Sequence, residues 1–303
     1  MKLKGIIVPI GTPLDSDERI DEKGLRRLTR YLVDGGVHGL LVNGTMGGFA
    51  HLEKSELVRA LEIILEEVQG KVPVIANVGE TGTKRAIQTA REFEALRPDY
   101  LSILSPFYFL MTQQELKDFF QEVSAAVRTP CLIYNNPITT KNNLELGTII
   151  ELSSMPNIVG IKDSDQDFEK WVRLVDSVRG TEFAVLVGTD TLAAAALIMG
   201  CDGVIGGLHN VCPQIAVRLY DAVCTGDLET ARSLQQKLND LFSIFECGSL
   251  WGGFEFALQR MGICKKITVR PFGALVDPEF RKRISATLVK HGLLNEAVAF
   301  RER

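Results

Sequence analysis

Gly5-Ile6-Ile7-Val8-Pro9, running on through Ile10-Gly11-Thr12-Pro13, is the stretch on which the fold turns. A short, wholly apolar run reads as a strand buried on both faces, the pattern of a parallel sheet. An open doubly wound sheet marks the turn after its first strand with Gly-x-Gly-x-x-Gly, because a pyrophosphate must approach the backbone there. Gly11-Thr12-Pro13 lacks that spacing. Seven further runs of the same kind follow, at Gly39–Val42, Val72–Asn77, Tyr100–Leu104, Cys131–Tyr134, Ile158–Ile161, Phe183–Val187 and Gly203–Ile205. The segments between them repeat apolar residues at three and four positions, as in Leu57, Ala60, Leu61, Ile64 and Val68, which gives a helix one face to lay against a sheet. Eight βα repeats are the number that closes a barrel, so the sequence predicts a (β/α)8 TIM barrel. Beyond Cys224, the positions of Leu228, Ala231, Leu234, Leu238, Leu241 and Phe245 predict a further amphipathic helix and no further strand. The expected division is a catalytic barrel over residues 1–224 and a C-terminal helical region over 225–303.

Composition narrows the function classes. A chain of 303 residues with 46% hydrophobic and 24% charged residues buries a large core and is not disordered. A net charge of −4 without long like-charge runs offers no footprint for nucleic acid or an anionic membrane, and no apolar stretch is long enough to span a bilayer. The first residues contain no cleavable signal, so a cytoplasmic protein acting on a small molecule is expected. Six cysteines and four histidines fall at no metal-site spacing, so no metal is expected either.

Active sites of such barrels gather where strands end, at their C-terminal face. Three endings carry unusual residues. Asn43-Gly44-Thr45-Met46-Gly47-Gly48 is a small-residue turn offering a hydroxyl and backbone N–H groups to an anion, or simply a flexible turn. Tyr134-Asn135-Asn136-Pro137 places a phenol at the barrel mouth, where it either does acid–base chemistry or bridges core and solvent. Ile158-Val159-Gly160-Ile161-Lys162-Asp163-Ser164 is the sharpest, because a lysine directly continues an apolar strand. Pointing into the barrel, Lys162 is desolvated and its neutral amine attacks a ketone; pointing out, it keeps its charge in solvent.

Taken together, these three endings resemble the dihydrodipicolinate synthase/N-acetylneuraminate lyase family of pyruvate-handling class I aldolases. The resemblance follows the barrel in order and continues into the helical tail. It implies that Lys162 condenses with the ketone of a 2-oxo acid and that the protonated imine serves as electron sink, with no metal or other cofactor. Tyr134 becomes the general acid/base, with Thr45 and Tyr108 completing a proton relay. In the family the counterpart of Tyr108 reaches a neighbouring subunit's site, which implies a homodimer or homotetramer; packing at an interface is the alternative role for this tyrosine. Gly44, Thr45 and Met46 fall where the substrate carboxylate is held. Met46 replaces a hydroxyl residue and Gly48 a glutamate, so carboxylate binding is left mainly to backbone N–H groups near Thr45. Gly188 and Ile205 fall where relatives line the pyruvate site, though turn geometry and core packing explain them equally well.

The substrate is read from two losses. The arginine that meets a second carboxylate in lysine-pathway members is Thr139 here, and the glutamate that holds sugar hydroxyls in sialic-acid lyases is Thr191. With Ser164, Thr189 and Asp190, the motifs look most like the 2-keto-3-deoxygluconate aldolases, and the hydroxyls of Thr139, Thr140, Ser164 and Thr189 suit a polyhydroxylated 2-oxo acid. The expectation is reversible cleavage of a 2-keto-3-deoxy sugar acid to pyruvate and a hydroxyaldehyde. Dihydrodipicolinate synthesis or dehydration of a 2-keto-3-deoxy acid are the near alternatives. Gly203-Val204-Ile205-Gly206-Gly207, near the usual phosphate site of barrels, motivates a sugar-phosphate enzyme, and the losses at Met46 and Gly48 motivate a catalytically silent binding homologue.

Overall fold

The computed structural model describes residues 2–275 and 277–295. Eight parallel strands pair in sequence order: β1 (Gly5–Pro9), β2 (Gly39–Val42), β3 (Val74–Val78), β4 (Tyr100–Leu104), β5 (Cys131–Asn135), β6 (Ile158–Asp163), β7 (Ala184–Val187) and β8 (Gly203–Val204). β8 pairs with β1 and closes the barrel that the apolar runs predict. Closure depends on glycine at the seam. Gly5 has a φ of +94°, and a Cβ on Gly203 would lie 2.7 Å from the Gly5 nitrogen. β3, β5, β6, β7 and β8 differ from expectation by one or two residues at their limits, and at the start of β3 and the end of β6 the reason is local. β3 starts at Val74 rather than Val72, after Pro73, which has no N–H for a ladder. β6 continues past Ile161, because Lys162 and Asp163 still pair with β5 and β7 despite their polarity.

The connecting helices are α1 (Glu22–Asp34), α2 (Lys54–Val68), α3 (Thr83–Ala95), α4 (Gln113–Ala125), the short α5 (Pro137–Thr140), α6 (Leu146–Ser153), α7 (Phe168–Ser177), α8 (Ala193–Ile198) and α9 (Pro213–Cys224). Strand alternation divides the core in two. Ile7, Leu41, Ile75, Leu132, Leu186 and Ile205 fill the barrel, each burial contributing roughly 1.5–3 kcal/mol. Their neighbours Ile6, Val8, Leu40 and Val42 face outward, in one cluster with Leu28 of α1 and Leu61 of α2. Period two then places Tyr134 above Leu132 on the inner face, and Lys162 inward between the outward-facing Ile161 and Asp163.

Among the described residues, three α-helices follow the barrel: α10 (Leu228–Phe242), α11 (Leu250–Arg260) and α12 (Pro278–Lys290). Leu234, Leu241, Phe254, Leu258, Ile284 and Leu288 join the outer cluster, so this helical part shares one apolar core with the barrel. Arg27 Nε donates to the Ile263 carbonyl at 2.7 Å, and Leu14 bridges to Lys266. This docking carries Phe272 to the turn after β2, where its ring centre is 4.8 Å from that of His51. No described helix is long and apolar enough to cross a membrane.

Candidate active site

The turn after β2 is anchored by its asparagine. Asn43 adopts a left-handed φ of +58°, a conformation asparagine tolerates better than most side chains. Its side chain donates to the Leu57 carbonyl at 2.9 Å, and its own carbonyl accepts from Asn77 Nδ2 at 3.0 Å. Within the turn, the N–H groups of Gly47 and Gly48 donate to the carbonyls of Gly44 and Thr45. Those of Thr45 and Met46 meet no protein acceptor among the described residues, so they are available to an anion. The Met46 side chain is buried in the apolar cluster against Gly207 and adds no polar group.

β5 and β6 run in register with Tyr134 opposite Lys162 and Asn135 opposite Asp163. On the inner face Lys162 is 4% exposed, and its Nζ lies 4.0 Å from the centre of the Tyr134 ring. The Tyr134 hydroxyl is 3.1 Å from Thr45 Oγ1 and accepts from Asn136 Nδ2 at 3.2 Å. Burial alone pushes this phenol up, but the charge of Lys162 and hydrogen bonds from Thr45, Lys162 and Asn136 outweigh burial and hold it below the usual tyrosine value. A buried amine, a phenol eased toward phenolate and a hydroxyl in contact form an acid–base unit suited to carbonyl chemistry.

On the outer face, behind this unit, Asp163 is fully buried. Its Oδ1 accepts from Asn135 Nδ2 at 2.8 Å, and its Oδ2 lies 3.0 Å from Lys170 Nζ. Lys170 also pairs with Asp165, which accepts from the Trp171 indole at 3.1 Å. Burial raises the Asp163 carboxyl above the usual carboxylate range, against the opposing charge of Lys170.

The remaining expected residues fall in four places. Ser164, Gly188 and Thr189 meet at the ends of β6 and β7: the Gly188 N–H donates to the Asp163 carbonyl at 2.7 Å, and the Ser164 side chain lies against Gly188. Asp190 is buried beside them, accepting from the Leu208 N–H at 3.2 Å, and burial pushes its carboxyl up to about 7. Ile205 is in the barrel core. Thr139 is set apart by its hydroxyl, which donates to the Asn136 carbonyl at 3.3 Å, as that of neighbouring Thr140 does at 3.0 Å. Tyr108 is 79% exposed and lies outside the Lys162–Tyr134–Thr45 unit of its own chain.

A model of the dihydrodipicolinate synthetase family matches residues 2–291. The chain belongs to this family. Like its members it is an enzyme, a lyase of the DapA type. It is 33% identical to an uncharacterized DapA-like lyase of Halobacterium salinarum, over 96% of this chain and 95% of the relative. A probable 2-dehydro-3-deoxy-D-pentonate aldolase of Escherichia coli is 28% identical over 97% of this chain and 99% of its own. Among solved structures, the pyruvate complex of dihydrodipicolinate synthase from Acinetobacter baumannii superposes with a TM-score of 0.92 at 28% identity, covering 96% of this chain and 100% of the other.

Two polar features escape a reading of strand ends. Asn136, two residues beyond Tyr134, reaches both the phenol and, at 3.5 Å, Thr45 Oγ1; the period of two is the available signal. His209, wholly buried, approaches Asp190 Oδ1 within 3.3 Å without hydrogen-bonding geometry, and burial lowers its imidazole to about 3, leaving it neutral. No local pattern marks it. Among the described residues, no group of three or more His, Cys, Asp or Glu is arranged to hold a metal ion.

Proposed function

We propose that this lyase works through an imine between Lys162 and the ketone of a 2-oxo acid, and that its reaction is the reversible cleavage of a 2-keto-3-deoxy sugar acid to pyruvate and a hydroxyaldehyde. The observation that carries the reading is the buried Lys162 amine 4.0 Å from the centre of the Tyr134 ring, with the phenol bonded to Thr45 and Asn136. Tyr134 delivers the proton that lets the carbinolamine hydroxyl leave as water, and the N–H groups of Thr45 and Met46 receive the carboxylate. The cationic imine draws in the electron pair of the breaking carbon–carbon bond, so the lysine needs no metal or second cofactor. The sugar-acid reading is supported by the pentonate aldolase relative, by Thr139 in place of an arginine, and by the hydroxyl residues Ser164 and Thr189 at the ends of β6 and β7.

A homodimer, itself able to pair into a tetramer, completes the proposal. Tyr108, Phe109 and Leu110 form an exposed apolar tip after β4, a surface suited to a second copy of the chain.

Borohydride added with pyruvate should inactivate the enzyme and leave a reduced adduct on Lys162, read by peptide mass spectrometry. An adduct on another lysine, or none, overturns the mechanism. Steady-state comparison of 2-keto-3-deoxygluconate cleavage with condensation of pyruvate and aspartate semialdehyde tests the substrate: a kcat/KM at least tenfold higher for the semialdehyde refutes the sugar-acid assignment.

A further inference from the structure

Asn136 is the N-cap of α5, where an asparagine side chain ordinarily accepts from a backbone N–H of the first turn. Here the side chain makes no such bond. The turn is held without it: Pro137 has no N–H to satisfy, and the N–H groups of Thr139 and Thr140 donate to the Asn136 carbonyl at 3.1 and 3.0 Å. Both threonine hydroxyls donate to the same carbonyl, so the backbone is fixed and the side-chain amide is left over. That amide belongs to a residue only 7% exposed, and it turns to the phenol instead: Nδ2 donates to the Tyr134 oxygen at 3.2 Å and to Thr45 Oγ1 at 3.5 Å. A capping rule broken inside a site marks a side chain with another task.

The two neutral neighbours of the phenol are not equivalent. The Thr45 hydroxyl, 3.1 Å away, serves either protonation state, since it accepts from a phenol and donates to a phenolate. An amide N–H only donates, so Asn136 favours the phenolate. We propose that Asn136 is a positioning residue that holds the Tyr134 oxygen and stabilises it each time its proton leaves; the proposal rests on the imine at Lys162. In the step it serves, the carbinolamine hydroxyl departs with the Tyr134 proton as water while the nitrogen pair closes the C=N bond. A cationic imine and a phenolate remain, and nothing is oxidised or reduced. Burial opposes that phenolate, Lys162 on β6 faces it with the opposite charge, and Asp190 after β7 lies within the field of Lys162.

The test takes pyruvate as its probe and measures imine formation on Lys162 by timed borohydride quenching and mass spectrometry. The phenol is titrated separately, as the tyrosinate absorbance that Tyr134→Phe loses. Asn136→Val, similar in size and without a donor, should slow imine formation about tenfold or more and move the Tyr134 titration upward by about one unit or more. The pH midpoint of the rate should rise with it, while the pyruvate concentration giving half the maximal rate changes less than about threefold. Asn136→Asp puts an anionic acceptor in the same volume and should raise the titration further, which keeps the test in hand if Asn136→Val does not fold. A role confined to packing would lower the melting temperature and leave the titration in place. An unchanged titration in either folded variant overturns the proposal, and slow imine formation in Tyr134→Phe then leaves the acid–base reading standing. Undiminished imine formation in Tyr134→Phe, or no trapped adduct in the parent protein, removes that reading and the proposal with it.

Discussion

Asp190 is a carboxyl held where charge is costly. Burial pushes it up to about 7, opposed by the Leu208 N–H and the field of Lys162, and the imidazole facing it is neutral. In an unfolded chain an aspartate titrates near ~3.9, so the folded state binds the proton more tightly. Stability is therefore greatest below the unfolded value and declines as pH rises through the folded one. Replacing the carboxyl by a carboxamide keeps an acceptor for the Leu208 N–H and removes the charge. Asp190→Asn should therefore raise the melting temperature at pH 8 clearly more than at pH 5, because only at the higher pH does the parent protein carry a buried anion. Melts at the two pH values decide it, and an equal or smaller gain at pH 8 shows that Asp190 is not carrying a buried charge. The inner-face lysine nearby differs in kind: Lys162 faces a phenol at the barrel mouth and Asp190 faces a buried imidazole, although in the sequence both are strand-end residues.

At the scale of elements, the pairing of β5 with β6 sets the geometry of the proposed site. Tyr134 and Lys162 face each other inside, and directly behind them Asn135 holds Asp163, itself paired with Lys170 of α7. Lys170→Met would leave Asp163 and Asp165 side by side in the helix layer without their cation, and breaking a buried pair in this way costs about 3–5 kcal/mol. Because low pH protonates the stranded carboxylates, the loss should be larger at pH 8 than at pH 5. Urea denaturation measures both, and a loss under about 1 kcal/mol at pH 8 would show the network to be dispensable.

This network also marks where the sequence stops being legible. Strands buried on both faces must be apolar throughout, so β1, β2 and β4 have the limits their apolar runs predict, and a lysine at the end of such a run stands out. Lys170 carries no such mark, because on a helix it reads as a solvated residue until folding places it over two aspartates. Thr139 misleads for a related reason: as a residue type it offers a hydroxyl to substrate, and only the turn of α5 commits that hydroxyl to the Asn136 carbonyl.

For the whole molecule, the exposed tip is the feature that one chain does not account for. Tyr108, Phe109 and Leu110 are 79%, 69% and 77% exposed, and Tyr108 has a φ of +84°, a conformation that costs a bulky residue about 1–3 kcal/mol. Asn142, buried below, enforces it: its Nδ2 donates to the Pro106 and Phe109 carbonyls, both at 2.8 Å, and its Oδ1 accepts from the Met111 N–H at 2.8 Å. A built, strained and apolar projection is better matched to a second protein surface than to water, and its position after β4 is at the catalytic end of the barrel. If the tip docks on a second copy, charge at Phe109 and Leu110 should separate the chains without touching either core. Phe109→Asp with Leu110→Asp should therefore sediment as a monomer at micromolar concentration where the parent protein is a dimer or larger, with far-UV circular dichroism unchanged. Should the tip also bring Tyr108 to the neighbouring site, the separated chains will lose kcat by about 10²-fold or more, as expected when an acid–base relay is interrupted. A parent protein that sediments as a monomer, or a double variant that stays assembled, would assign the tip another role.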